Sequence, residues 1–153
     1  MHISRRSFIG LSMLGVLVSI SGRHASAANT AAGMLEVYKS PSCGCCDVWV
    51  NHVRNGGFMV HVTDVEDLDP IKAKFGVTSD LQSCHTAFID GYVIEGHVPV
   101  REITRLLKER PSGTGLAVPG MPIGSPGMEQ GSRRETYQVI LFSPSNRSVF
   151  ARY

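Results

Sequence analysis

The chain has 153 residues, 42% of them hydrophobic and 18% charged, with 15 Lys and Arg against 13 Asp and Glu for a formal net charge of +2. This composition excludes a disordered chain and gives no basic block of the kind that binds nucleic acid. It includes four cysteines, Cys43, Cys45, Cys46 and Cys84, in a chain large enough to fold without disulfide staples.

Residues 1–27 read as an export signal. Arg5-Arg6 is followed by an apolar run through Leu11, Met13, Leu14, Val16, Leu17, Val18 and Ile20, too short for a comfortable membrane span. Ala25-Ser26-Ala27 offers small residues to a signal peptidase, so a twin-arginine signal peptide cleaved before Ala28 is expected, with a periplasmic product and no stable membrane anchor after cleavage. Cleavage removes Arg5, Arg6 and Arg23 and no acid, which lowers the formal charge from +2 to −1. All four cysteines remain in the 126 residues left when these 27 are taken from 153.

Residues 28–34 form a leader of small and polar residues, and order is expected from Leu35. Leu35 to Tyr38 alternates as a strand does, and Ser40-Pro41-Ser42 breaks it. From Cys46 the spacing of Val48, Trp49, His52 and Val53 predicts a helix that stops at Asn55-Gly56-Gly57. Phe58 to Val65 predicts a strand with Phe58, Val60 and Val62 on one face and Met59, His61 and Thr63 on the other. Asp69-Pro70 reads as an N-cap and first helical position for a short helix carrying Ile71, Ala73 and Phe75.

After a polar loop at 79–83, Thr86 to Ile89 and Tyr92 to Ile94 flank Asp90-Gly91, a hairpin signal. Pro99 opens a helix with Val100, Ile103, Leu106 and Leu107 on one face, ending near Arg110-Pro111. Residues 111–133, rich in Gly, Pro and Ser, read as a long loop, and residues 137–152 as a terminal hairpin that must pack on the main domain to be stable. The order strand, helix, strand, helix, strand, strand, helix, with Cys-x-x-Cys at the first strand-to-helix junction, predicts an α/β domain over 35–153. The expected fold is thioredoxin-like, a mixed sheet flanked by helices with a C-terminal loop and hairpin extension.

Cys43-Gly44-Cys45-Cys46 places three sulfurs at a predicted helix N-terminus, where unpaired N–H groups and the helix dipole favour thiolates. Cys43 and Cys46 have the spacing of a redox dithiol, which would make them the catalytic pair of a thiol-disulfide oxidoreductase. Such a pair has no use for Cys45, whereas adjacent thiolates suit a soft ion, with Cu(I) and Zn(II) the leading candidates. Cys84, in Ser83-Cys84-His85-Thr86, falls where a thioredoxin-like fold brings a loop to face the Cys-x-x-Cys; the cis-proline of ordinary thioredoxins is missing there. Its readings are a fourth sulfur ligand, a partner of Cys45 in a structural disulfide, or a small buried hydrophobe. Two structural disulfides would be the inert alternative for the whole set.

Met121 is a candidate outer ligand or lid residue, or equally an apolar plug, and Met128 reads as loop. His85 should point away from Cys84 by strand alternation and serve as a hydrogen-bonding group behind the site, with additional metal binding the lesser alternative. His97 divides between a helix-capping role, which is favoured, and metal binding. His52 and His61 read as surface histidines. Trp49 is expected to cover the helix against the sheet, and Asp47 to respond to the helix dipole. The sequence carries no phosphate loop, nucleophile elbow or paired carboxylates at convincing spacing.

The stretches Tyr38 to Cys46, Ser83 to Ala87, Gly91 to Pro99 and Gly115 to Pro122 resemble the periplasmic CopG-type copper-resistance proteins, long catalogued as a metal-binding domain of unknown function. The resemblance extends from about Leu35 to Tyr153. It implies a thioredoxin-like fold, Cu(I) held by the Cys-x-Cys-Cys run with the distal Cys84, and a role in copper resistance. It further implies redox interconversion of the metal and exchange with periplasmic copper-handling proteins.

Overall fold

The computed structural model describes residues 33–153; the expected signal at 1–27 and most of the leader lie outside the described residues. Ten elements follow in order: β1 (Met34–Lys39), α1 (Gly44–Asn55), β2 (Met59–Asp64), α2 (Asp69–Lys74), β3 (His85–Ile89), β4 (Tyr92–Glu95), α3 (Val100–Glu109), β5 (Gly115–Ala117), β6 (Gln138–Phe142) and β7 (Arg147–Arg152). All seven strands join one mixed sheet in the order β2-β1-β3-β4-β5-β6-β7. β1 pairs parallel with β2 and antiparallel with β3, and β3 pairs antiparallel with β4. That half is the thioredoxin-like arrangement; β5 to β7 extend it past β4.

Alternation along β1 decides which face is covered. Leu35 and Val37 point into a core shared with Trp49, Val50 and Val53 of α1 and Ile103 and Leu106 of α3. α3 has the sharper amphipathic pattern, and Arg110 takes a left-handed conformation (φ 50°) that ends it. Asp90 and Gly91 both have positive φ, as the two-residue hairpin between β3 and β4 requires. The opposite face of the sheet is covered over its middle strands by a second cluster in which Val77 and Leu81 meet Val93, Ala117 and Phe142.

Three expectations need correcting. Residues 111–133 are not loop throughout: Gly115–Ala117 forms β5, parallel to β4 and antiparallel to β6. This strand is what attaches the terminal hairpin to the sheet. It escapes sequence reading because a three-residue strand buried on both faces has no alternation to display. On α2 the inward residue is Lys72, 4% exposed, while Ala73 is exposed. Asp69 lies inside that helix, and its N–H donates a hydrogen bond to the side-chain carboxylate of Asp67 at 2.9 Å.

Candidate metal centre

The first strand-to-helix junction ends β1 at Lys39 and starts α1 at Gly44, with Cys43 as the N-cap residue. Lys39 is 4% exposed yet bridges Asp47, in the first turn of α1, at 3.1 Å and Asp64, at the end of β2, at 2.9 Å. This pair of contacts fixes the angle at which α1 leaves the sheet. Cys45 and Cys43 therefore sit at the open end of the helix, and Cys46 turns inward to full burial.

From the other side, Cys84 precedes β3. A buried polar pin sets its position: the Glu95 carboxylate accepts the Ser83 backbone N–H at 2.7 Å, the Thr86 hydroxyl at 2.6 Å and the Lys72 ammonium at 2.5 Å. Glu95 is fully buried, and burial pushes its carboxyl upward against the opposing pull of Lys72 and the two hydrogen-bond donors. Next to it Gly96 adopts φ 71°, and a Cβ there would press into Ser83 and come within 2.7 Å of the Val118 carbonyl oxygen. Only glycine fits this close approach.

The four sulfurs meet. Cys43 and Cys46 form a disulfide, and Cys45 and Cys84 are free thiols. Cys84 Sγ lies 3.4 Å from Cys46 Sγ and 3.8 Å from Cys45 Sγ, and Cys43 Sγ lies 3.5 Å from Cys45 Sγ. All four Sγ atoms fall within 4.8 Å of one another, a spacing that lets one ion or several touch every thiol once the disulfide is reduced. A Cys45–Cys84 disulfide is not formed here.

Two histidines complete the surroundings. His97 Nε2 is 3.0 Å from Cys84 Sγ, and its Nδ1 faces the Pro126 carbonyl oxygen at 2.8 Å. A carbonyl only accepts, so Nδ1 carries the proton and Nε2 presents its lone pair to Cys84. The favoured capping role for His97 is thus overturned: its ring faces the cysteines. The positive φ of Gly96 turns the backbone between Glu95 and His97.

His85, expected to point away from Cys84, instead has Nδ1 3.4 Å from Cys84 Sγ. Cys84 precedes the strand, so alternation does not govern the pair. The His85 ring lies tilted at 42° against Trp49 (centroids 4.2 Å) and meets His97 edge-on at 5.0 Å. It is fully buried, and among the described residues its Nε2 has no hydrogen-bond partner. Burial, then the neighbouring His97 and Lys72, hold His85 well below the ordinary histidine range, and burial lowers His97 as well. Both rings are therefore neutral near pH 7. Burial, aided by the Cys45 sulfur, pushes the Cys84 thiol up to about 12.

The segment after β5 closes the assembly from above. Gly120 accepts a hydrogen bond from Ser83 Oγ and donates its N–H to the Gln82 carbonyl at 2.9 Å. Gly127, with φ 87°, lies so close to α1 that a Cβ would come within 2.9 Å of Cys45 O and Trp49 N. Between these anchors Met121 is 51% exposed, and Met128, just past the second, is partly buried. Trp49 covers α1 against the sheet as expected, its indole N–H donating to the Val98 carbonyl at 2.9 Å.

A family model described as a protein of unknown function, DUF411, matches residues 81–128, the span that carries Cys84, His85, His97 and the closing segment. Two solved structures, titled copper resistance protein copG, Form 1 and Form 2, superpose with a TM-score of 0.76 each. Each is 43% identical in sequence, over 80% of this chain and 98% of the other. The chain belongs to the CopG copper-resistance family. No curated protein matches it. Membership of the CopG family accounts for the four motif stretches at once, since they fall at β1–α1, at the Cys84 turn, on β4 with its Gly96 bend, and at β5 with the segment after it. Among the described residues no helix is long and apolar enough to cross a membrane.

Proposed function

We propose that this chain is a periplasmic copper-binding protein of copper resistance, exported by the twin-arginine route, with Cu(I) as its cargo. Cys43, Cys45, Cys46 and Cys84 bind the metal as thiolates. The observation that carries this reading is the convergence of four sulfurs from two separate elements within 4.8 Å. A structural disulfide scaffold has no use for that density of thiols, and thiolate is the ligand class that selects Cu(I), with zinc second. The His97 Nε2 lone pair adds a nitrogen donor beside Cys84. Met121 is an outer ligand or lid on the segment that closes the site. Periplasmic copper-handling proteins deliver and receive the ion.

The Cys43–Cys46 disulfide gives the site a redox coordinate. Two electrons and two protons convert it to two thiols. Oxidation of two Cu(I) to two Cu(II) supplies those electrons, so the site can trade the oxidation state of its cargo against its own thiols. The same disulfide favours the second reading, a thiol-disulfide oxidoreductase using Cys43 and Cys46 as attacking and resolving thiols. Anaerobic Cu(I) titration of the reduced chain 28–153 separates the two. Loss of affinity in both Cys45→Ser and Cys84→Ser supports the metal site; affinity unchanged in both, with disulfide-exchange turnover retained, supports the oxidoreductase.

A further inference from the structure

Among the described residues, β1 and β2 expose one face that no other element covers. Met34, Glu36 and Tyr38 point to the side opposite Leu35 and Val37, and on β2 Met59, His61 and Thr63 point opposite Val60 and Val62. The helix and loop that cover this side of the sheet reach only as far as Tyr38, whose ring lies 6.4 Å from Phe75. Met34 and Met59 are 51% and 55% exposed, and Glu36 and His61 are exposed beside them. Parallel pairing sets Met34 directly across from Met59 and Glu36 directly across from His61.

Methionine normally fills irregular gaps in a core, and neither of these two has a gap to fill. In-register neighbours on adjacent strands are about 5 Å apart and successive same-face residues about 7 Å, distances that flexible thioether side chains span with ease. Among the described residues the His61 ring has no hydrogen-bond partner, so both ring nitrogens are free to bind. Two thioethers and an imidazole form a soft donor set, matched to a monovalent soft cation and poor for Zn(II) or Mg(II).

We propose that this face is a second metal site, where the thioethers of Met34 and Met59 and the imidazole of His61 together take one Cu(I) or Ag(I) ion. Glu36 stands across from His61 and adds a negative charge that favours the cation. The site lies at the far end of β1 from the cysteines, about 17 Å along the strand. It uses none of the thiols and binds more weakly than they do, because thioethers are neutral donors.

The test is methionine-methyl NMR on the reduced chain 28–153 labelled at the methionine methyl carbons, with Ag(I) added anaerobically. The expected result is joint movement of the Met34 and Met59 methyl signals over one equivalent, after the equivalents taken by the cysteines. Met34→Leu and Met59→Leu, exposed conservative changes that leave folding intact, should each abolish the response of the remaining partner, and His61→Asn should weaken it at least several-fold. Independent responses of the two methyls, or responses no greater than that of Met128, overturn the proposal. A failure of the cysteine reading looks different: the Met34 and Met59 signals would then move with the first equivalent.

Discussion

Removing Lys72 tests whether the Cys84 turn is held by a buried ion pair. Lys72 is 4% exposed and Glu95 fully buried, with Nζ to Oε1 at 2.5 Å, so Lys72→Met leaves a desolvated carboxylate whose remaining partners are Ser83 N–H and Thr86 Oγ. Breaking one side of a buried pair costs about 3–5 kcal/mol, which for a domain of this size lowers the melting temperature by roughly 10–20 °C. Adding Glu95→Gln to Lys72→Met restores much of it, because the Gln carbonyl still accepts from Ser83 and its amide donates to Thr86. The double variant should recover at least ~2 kcal/mol of the single variant's loss.

The penalty also has a pH signature. Burial already raises the Glu95 carboxyl, and without Lys72 it rises further. A carboxyl with a raised folded value binds its proton more tightly in the native state, so stability falls as pH climbs from the unfolded value toward the folded one. Urea denaturation of Lys72→Met at pH 5 and pH 7 should therefore show the smaller deficit at pH 5. Strict additivity of the two substitutions, or a single-variant loss below ~1 kcal/mol, would refute the reasoning.

Other outcomes follow from the same geometry. Thiol counting on the native oxidised chain should find two reactive cysteines at most, Cys45 and Cys84, and four after reduction and unfolding; four in the native oxidised chain would contradict the pairing. Gly127→Ala should both destabilise the chain and weaken metal binding, because φ 87° and contacts of 2.9 Å to Cys45 O and Trp49 N leave no room for a methyl. Retained affinity in a folded Gly127→Ala chain would show that this segment does not set the site. Leu116→Ala, fully buried on β5, should cost about 2–5 kcal/mol by chemical denaturation; a loss under ~1 kcal/mol would mean that β5 does not tie the terminal hairpin to the core.

Local chemistry made much of this legible in the sequence. Asp90-Gly91 announced the β3–β4 turn, Gly56-Gly57 the end of α1, and the stripe through Ile103 and Leu106 the buried face of α3. The cysteines could be brought together on paper because the element order dictates which loop faces the first helix. What stayed hidden depended on contacts distant in sequence. Lys72 on a short helix looks like a solvated charge until Glu95, 23 residues away, is beneath it. A helix-capping reading of His97 follows from its place just before Pro99; nothing local reveals the positive φ at Gly96 that turns the chain there, and the ring's tautomer depends on Pro126 in a segment that reads as long loop.

X-ray absorption at the copper edge of the reduced, Cu(I)-loaded chain 28–153 tests the central claim most directly. The account predicts sulfur as the dominant nearest neighbour and a loss of sulfur neighbours per copper in Cys84→Ser and in Cys45→Ser. A nearest shell of nitrogen and oxygen, or one that neither substitution alters, would contradict it.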